Sequence, residues 1–489
     1  MAEKKSVLEQ YPAYRMDIGI EVHVQLNTKT KIFCACPNEQ TDTPNKNICP
    51  VCAGYPGVLP LLNKEVVNKA IVAGLATHCT VSSESVFARK HYFYPDLPKD
   101  YQITQDKKPI CTNGYVTIKR EDGTQKKIRI YRIHMEEDAG KNIHVDGTNE
   151  SFVDLNRTGT PLIEIVSHPD IENNFEAVAY LKALHAIIVH TGISTGNMDE
   201  GSFRADTNIS VRLKNSSILG TRCELKNINS FKFIKDAIEY EAERQIEQLE
   251  AGNKITQETR LWDTKDQQTY AMRSKEEAAD YRYFQDPDLP ILHIDQEWIA
   301  STQKNMPELP EQKIARWCAQ GLSEYEATIL IEDKELGHFY DKAYAITPSK
   351  LIINWVLREL VTVLKDHKAT PLSTSNKITP EKLASLVSLI DKNTINNRTA
   401  QELFVEIAEK DGYPLNMVKE RGLEQMDNSA ELEALIHSIL SAHQSTVEQY
   451  KAGKTQLFGF FVGQVMAKTQ GKANPKTTSE LLKKILGNL

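Results

Sequence analysis

The 489-residue sequence has no uninterrupted apolar run near the roughly 18 residues that a membrane-spanning helix needs. Its opening stretch, MAEKKSVLEQYPAYR, lacks the apolar h-region of a secretory signal. Together these absences predict a soluble, cytoplasmic chain with no membrane contact. Eight cysteines in an intracellular chain this long do not suggest a disulfide scaffold. The G-x4-G-K-[ST] phosphate loop is missing, so a nucleotide would have to be held by metal and scattered side chains. The net charge of −7 gives no whole-molecule attraction to nucleic acid, and DNA is not an expected partner. No fixed-period repeat is present, although YFYPDLP (92–98) is echoed by YFQDPDLP (283–290).

What is present describes an ordinary globular protein, 40% apolar and 26% charged, long enough for two to four domains. The first 300 residues or so read as strands with turns. GYVTIKREDGTQKKIRI (114–130) is a hairpin around Asp122-Gly123, and ADTNISVRL (205–213) pairs with TRCELKNIN (221–229). One amphipathic helix carries Ala177, Tyr180, Leu181, Leu184 and Ile188, with Asn173 or Asn174 as cap. Helices dominate afterwards: LIINWVLRELVTVLKD (351–366) is a core helix, and PLSTSNKITP (371–380) a polar linker. From Asp427-Asn428-Ser429, a stripe of Leu432, Leu435, Ile436, Ile439 and Leu440 begins a last helical unit. Residues 451–489 hold seven lysines against one acid, Glu480. The expected fold is α+β: an antiparallel sheet with helices over 14–300, helices over 301–414, and a small helical tail over 415–489.

Four stretches carry candidate chemistry. In DIGIEVHVQL (17–26) the alternation sets Ile18, Ile20, Val22, Val24 and Leu26 against Asp17, Gly19, Glu21, His23 and Gln25. Glu21 and His23 then project the same way about 7 Å apart, a spacing for ligands of one metal or phosphate site. IHMEEDAGK (133–141) stacks His134 with Glu136, Glu137 and Asp138; such carboxylates repel unless a cation neutralises them, and oxygen donors favour magnesium. RKHYFYPDLPKDYQITQ (89–105) sets Lys90 beside aromatic rings, a candidate clamp for ATP phosphate. Cys34, Cys36, Cys49 and Cys52 make C-x-C, twelve residues, then C-x2-C, the donor set of a structural zinc. Cys79, Cys111, Cys223 and Cys318 are scattered and expected to be buried.

IGIEVHVQL, CPVCAGYPGVLPLLNK, RKHYFYPDLPKDYQITQ, RIHMEEDAGK, DLNRTGTPLIEIVS, DEGSFRADTNISVR, CELKNINSF and DYRYFQDPDLP together closely resemble one family. It is the GatB family, the B subunits of the aspartyl/glutamyl-tRNA(Asn/Gln) amidotransferase, and the resemblance runs from about residue 14 to the C-terminus. The archaeal glutamyl-specific branch shares the catalytic half but usually carries a synthetase-like insertion, which is not seen here. The resemblance implies a cradle-shaped catalytic domain that binds ATP and magnesium, and a YqeY-like tail that binds tRNA. It implies phosphorylation of the side-chain carboxylate on misacylated Asp-tRNA(Asn) or Glu-tRNA(Gln). Ammonia, which a partner amidase subunit releases from glutamine, then displaces phosphate, and a small third subunit makes up the heterotrimer. The family's metal and catalytic residues match Glu21, His23, Glu136 and Glu137, and its nucleotide residues match Lys90, Asp206 and Glu224.

Two other classes compete. A non-catalytic tRNA-binding scaffold with a zinc knuckle would not need the Glu21/His23 strand or MEED. A stand-alone ATP-dependent ligase for a small acid would leave the basic tail unexplained.

Overall fold

The alternating stretch at residues 17–26 becomes the centre of a nine-stranded sheet in a computed structural model, which describes residues 6–488 apart from 145–146, 148–149, 273–280, 372, 374, 426–428 and 470–472. In chain order the strands are β1 (Tyr14–Gln25), β2 (Thr80–Val81), β3 (Cys111–Lys119), β4 (Gln125–Glu137), β5 (Pro161–Ser167), β6 (Phe203–Leu213), β7 (Cys223–Lys226), β8 (Thr259–Asp263) and β9 (Gln268–Ala271). They lie side by side as β9-β8-β7-β6-β1-β5-β4-β3-β2. All neighbours are antiparallel except β7 and β8, which run parallel, a detail the alternation pattern does not carry.

The predicted hairpin is β3–β4, turning at Gly123 with φ of +83°, a left-handed conformation that glycine adopts without steric cost. The predicted 205–229 pair is β6–β7. Met16, Ile18, Ile20, Val22 and Val24 are fully buried on one face of β1, against three helices. These are α1 (Lys64–Ala76), α2 (Asn174–His190) and α3 (Phe231–Glu250). Asn173 caps α2 by accepting from the Glu176 N–H at 2.8 Å. A side chain at Gly74 of α1 would meet Cys111 Sγ at 2.4 Å, so the helix lies against β3 only because that position is bare.

The chain divides into two compact units, Met1–Gln312 and Lys313–Leu489. The second is helical throughout its described residues; residues 351–366 form one helical run with a π-helical stretch at Trp355–Leu360. Its last part has a core of its own, in which Leu432, Ile436, Ile439 and Leu440 meet Phe461, Val465 and Leu482. Leu435 is only partly buried there. The expected caps Asp427 and Asn428 lie outside the described residues. Cys79, Cys111 and Cys223 are buried as expected, whereas Cys318 is half-exposed. Among the described residues no helix is long and apolar enough to cross a membrane.

One buried charge ties α3 to the β8–β9 edge. Glu241, with no exposed surface, accepts from Arg244 at 2.7 Å, Gln245 at 2.9 Å and Thr269 at 2.9 Å, and pairs with Arg260 at 3.2 Å. Burial alone would raise its pKa, but the Arg244 hydrogen bond and charge, with help from Gln245 and Arg260, hold it below the ordinary value. Replacing Glu241 with leucine takes the carboxylate from Arg244 and leaves Arg260 with Glu258 alone, which costs about 3 kcal/mol in urea unfolding. A depressed carboxylate stabilises fully above its unfolded pKa and loses that contribution as pH falls through the folded one. The gap between wild type and Glu241→Leu therefore narrows in acid; a gap independent of pH would remove the charge from the explanation.

Candidate functional site

The second face of β1 is not simply solvated. Antiparallel register sets His23 opposite Glu164 on β5, and Glu164 opposite His134 on β4, so three strands deliver these side chains to one spot. Glu164 Oε2 lies 3.4 Å from His23 Nε2 and 3.0 Å from His134 Nε2. Glu136, two residues past His134 and so on the same face, brings Oε1 to 3.5 Å from His23 Nε2 and accepts from Thr104 at 3.2 Å. Burial alone would lower the pKa of His23, but the hydrogen bond and charge of Glu164, then the charge of Glu136, push it up to about 9. His134 is likewise raised against its burial, chiefly by Glu164. Glu164 is held well below the carboxylate range: burial opposes this, and the two imidazoles prevail.

Ligand atoms of His23, Glu136 and Glu164 lie within 4.8 Å of one another. Two carboxylates and one imidazole suit a divalent cation such as magnesium or manganese, whose charge would take the place of the proton on His23. Lys90 stands over the same spot, its Nζ 4.8 Å from the Tyr281 ring and 5.7 Å from that of Tyr92. Burial works against its charge, yet Glu136 raises its pKa and keeps it an ammonium.

A second group lies one strand over. Glu21 is opposite Asp206 on β6 and accepts from the Asn208 amide at 3.0 Å. Its pKa is raised by burial first, then by the nearby charges of Glu164 and Glu224. Asp206 and Glu224 are both engaged by Lys226, at 2.8 and 3.0 Å. The two groups share β1, which supplies one member to each.

Three expected members stand apart. Successive residues of a strand point to opposite faces, so Glu137 turns away from Glu136. It accepts from the Ile103 N–H at 2.9 Å and pairs with Lys99, on the side of Cys34 and Cys52. Asp17 is buried at the strand's start, where Arg212 at 2.6 Å and Arg15 at 3.0 Å neutralise it. Asp138 accepts from Gln25 and Arg204, each at 3.0 Å, beside a polar cavity of about 430 Å³ that Gln25, Asn156 and Arg157 line.

Sequence reasoning missed Glu164, whose signal was a single carboxylate in the otherwise apolar strand PLIEIVS. It also left out Lys226, which sits at the same alternation as Glu224.

The four loop thiols converge. Cys36 and Cys49 each place Sγ 3.9 Å from Cys52 Sγ, and all four sulfurs fall within 4.8 Å. A zinc tetrahedron with arms of about 2.3 Å has edges of about 3.8 Å, so this spacing fits the ion. The Cys34 hydrogen bond lowers the pKa of Cys52 despite burial, with the Cys49 N–H and Lys31 adding to it, while Cys34 is pushed upward by the same bond.

The family profile of the GatB/GatE catalytic domain matches residues 16–300, and that of the GatB domain matches residues 338–486. The chain is 51% identical to the aspartyl/glutamyl-tRNA(Asn/Gln) amidotransferase B subunit of Syntrophotalea carbinolica, covering 97% of this chain and 98% of that one. It is 51% identical to the protein of the same name from Geotalea daltonii, covering 97% and 99%. The Persephonella marina protein of that name is 49% identical, covering 96% and 98%. With both profiles matched and relatives half identical along almost the whole length, the chain belongs to the GatB family.

Proposed function

We propose that this chain is the synthetic subunit of a glutamine-dependent aspartyl/glutamyl-tRNA amidotransferase. In this reading it uses ATP to phosphorylate the side-chain carboxylate of misacylated Asp-tRNA(Asn) or Glu-tRNA(Gln), and then directs ammonia onto the acyl phosphate. A partner amidase releases that ammonia from glutamine, and a small third protein completes the cytoplasmic heterotrimer. The observation that carries the reading is the meeting of His23, Glu136 and Glu164 beside Lys90 on one sheet face, in a family whose named relatives act on these tRNAs.

The chemistry needs such a face. A carboxylate is a poor electrophile, and transfer of the γ-phosphoryl group gives it a leaving group that ammonia can displace. Phosphoryl transfer asks for positioning and charge neutralisation more than covalent catalysis. His23, Glu136 and Glu164 would hold magnesium, which when bound neutralises phosphate charge. Lys90 supplies a fixed cation for a phosphate oxygen, and its aromatic neighbours keep the ammonium partly out of water. Glu21, met by a neutral amide, remains available to a second cation or to the attacking amine. Lys226 fixes Asp206 and Glu224 as a preset pair against which the nucleotide can be oriented. Glu137 serves differently, by holding Lys99 and the 101–104 strand behind the site.

The assignment separates two neighbouring carboxylates. In the assembled complex, Glu136→Gln and Glu164→Gln should each abolish tRNA-dependent ATP cleavage, and Glu164→Gln should cost stability as well, because buried His134 loses its counter-charge. Glu137→Gln should instead lower the melting temperature. Near-normal ATP cleavage by either of the first two would remove that carboxylate from the site.

Structural zinc at Cys34, Cys36, Cys49 and Cys52 implies about one zinc per chain by elemental analysis of reduced protein. Cys49→Ser and Cys52→Ser should reduce stability before they reduce turnover. Metal-free protein of full stability would end this reading.

The tail supports tRNA binding through charge. Lys451, Lys454, Lys468, Lys476, Lys483 and Lys484 are all exposed around its separate core, and Lys472 lies outside the described residues. Lysines paired with phosphates release counterions, so their contribution falls steeply with salt. The helix Pro414–Arg421 packs on Pro380–Asp391, so a cut at 429 spares that packing. Deleting 429–489 should raise the apparent KM for misacylated tRNA about tenfold, or about 1.4 kcal/mol. Glutaminase activity without tRNA should persist. Equal affinities and equal salt slopes for full-length and truncated complexes would reduce the tail to an assembly element.

A further inference from the structure

Lys31 is a charged side chain that the proposed chemistry does not use. It has no exposed surface, so its ammonium is cut off from water. Its three polar partners among the described residues are the Asn47 carbonyl at 2.8 Å, the Leu155 carbonyl at 3.5 Å and Cys52 Sγ at 3.7 Å. None is a carboxylate. An ammonium buried without a counter-charge is costly, and neutral carbonyls supply only dipoles. The one partner able to carry a full negative charge is the sulfur.

The converse holds for the cysteines. Four thiolates around a dication leave a net charge of −2 in a half-buried loop. The Cys49 backbone N–H reaches Cys52 Sγ at 3.2 Å, a partial compensation at most. We propose that Lys31 is the built-in counter-cation of the Cys34, Cys36, Cys49 and Cys52 site, halving its excess charge through the contact to Cys52. The inference rests on the reading of that site as a zinc tetrathiolate.

The placement gives the charge a second consequence. Lys31 N–H donates to the Cys36 carbonyl at 3.0 Å, and the next residue, Ile32, donates to the Gly159 carbonyl at 3.0 Å. Gly159 in turn donates to the Asp138 carbonyl at 3.0 Å. The side chain meanwhile reaches Asn47 and Leu155 from the same position. Lys31 thus joins both arms of the cysteine loop to the 155–160 turn, one bond from the strand end that carries Glu136. A metal-thiolate charge facing an ammonium therefore holds together the segment behind the catalytic face. Groups around the first ligands of a metal commonly tune its affinity by one to two orders of magnitude.

The test uses the full-length chain in its complex, with Lys31→Met and with Lys31→Gln, which keeps an N–H donor for the Asn47 carbonyl. Competition with a chromogenic chelator at fixed pH should show zinc held at least tenfold more weakly in both variants, with one metal per chain still bound. In cobalt-loaded protein the sulfur-to-cobalt charge-transfer band should move to longer wavelength, because an uncompensated thiolate gives up an electron more easily. The d–d bands of the tetrahedral site should stay in place. A merely structural lysine would not move the first band alone. Amine labelling of the wild-type complex followed by mass spectrometry needs no variant: Lys31 should react only after zinc is removed. Wild type that binds no zinc would sink the zinc reading itself. Zinc-binding variants with an unmoved band and unchanged competition, or equal labelling of Lys31 with and without zinc, would overturn the role of Lys31 alone.

Discussion

Everything at the candidate site depends on charge compensation across the centre of the sheet. Glu21, Glu136, Glu164, Asp206 and Glu224 approach from five strands, and such a set would repel if each were ionised alone. The sheet interleaves cations with them. His23 and His134 flank Glu164, Lys90 faces Glu136, and Lys226 bridges Asp206 and Glu224. The result is a surface that is stable without a substrate yet keeps negative charge in excess. Such a surface suits the dication and polyphosphate of the proposed function, since each would cancel part of what the other brings.

That arrangement explains why β1 lies in the middle of the sheet. A central strand has neighbours on both sides, so one side chain can meet partners from β5 and from β6 at fixed register. A one-residue slip would exchange Glu21 and His23 for Ile20 and Val22, burying the charges and exposing the core. The apolar face of β1, packed on α2 and α3, therefore sets the geometry of the candidate site as firmly as it sets stability. The two roles of the strand are one constraint.

Much of this was legible in the sequence because period-2 alternation is a local signal. The hairpin at Asp122-Gly123, the helix after Asn173 and the polar face of β1 were all read from neighbours in the chain. The cysteine loop was legible for the same reason. Glu164 was not, because a lone carboxylate in PLIEIVS gains meaning only when register sets it between two histidines. Glu137 was misplaced beside Glu136 by adjacency, although the pleat sends consecutive residues to opposite faces. Asp17 shares the alternation of Glu21 and His23, but Arg15, two residues before it, and Arg212, remote in the chain, neutralise it. Resemblance to a family supplies Asp206 and Glu224, which no spacing rule connects, whereas Lys90 already stands out in its basic and aromatic stretch.

Glu137, turned away from the candidate site, lies on the side of the strand where the cysteine loop stands. Strand β4 ends in a run that must carry charge on both sides, one for chemistry and one for support. The supporting side joins Glu137, Lys99 and the 101–104 strand to the main core, in which Phe33, Ile103 and Met135 are buried. The four converging cysteines add a second tie there, since in the proposed zinc site four thiolates would close a long loop at one point. The loop then needs only short contacts, from Ile32 to Gly159 and from Gly159 to Asp138, to brace the chain beside Glu136. The candidate site and the cysteine loop thus lie on opposite faces of one strand, so neither has to give up geometry to the other.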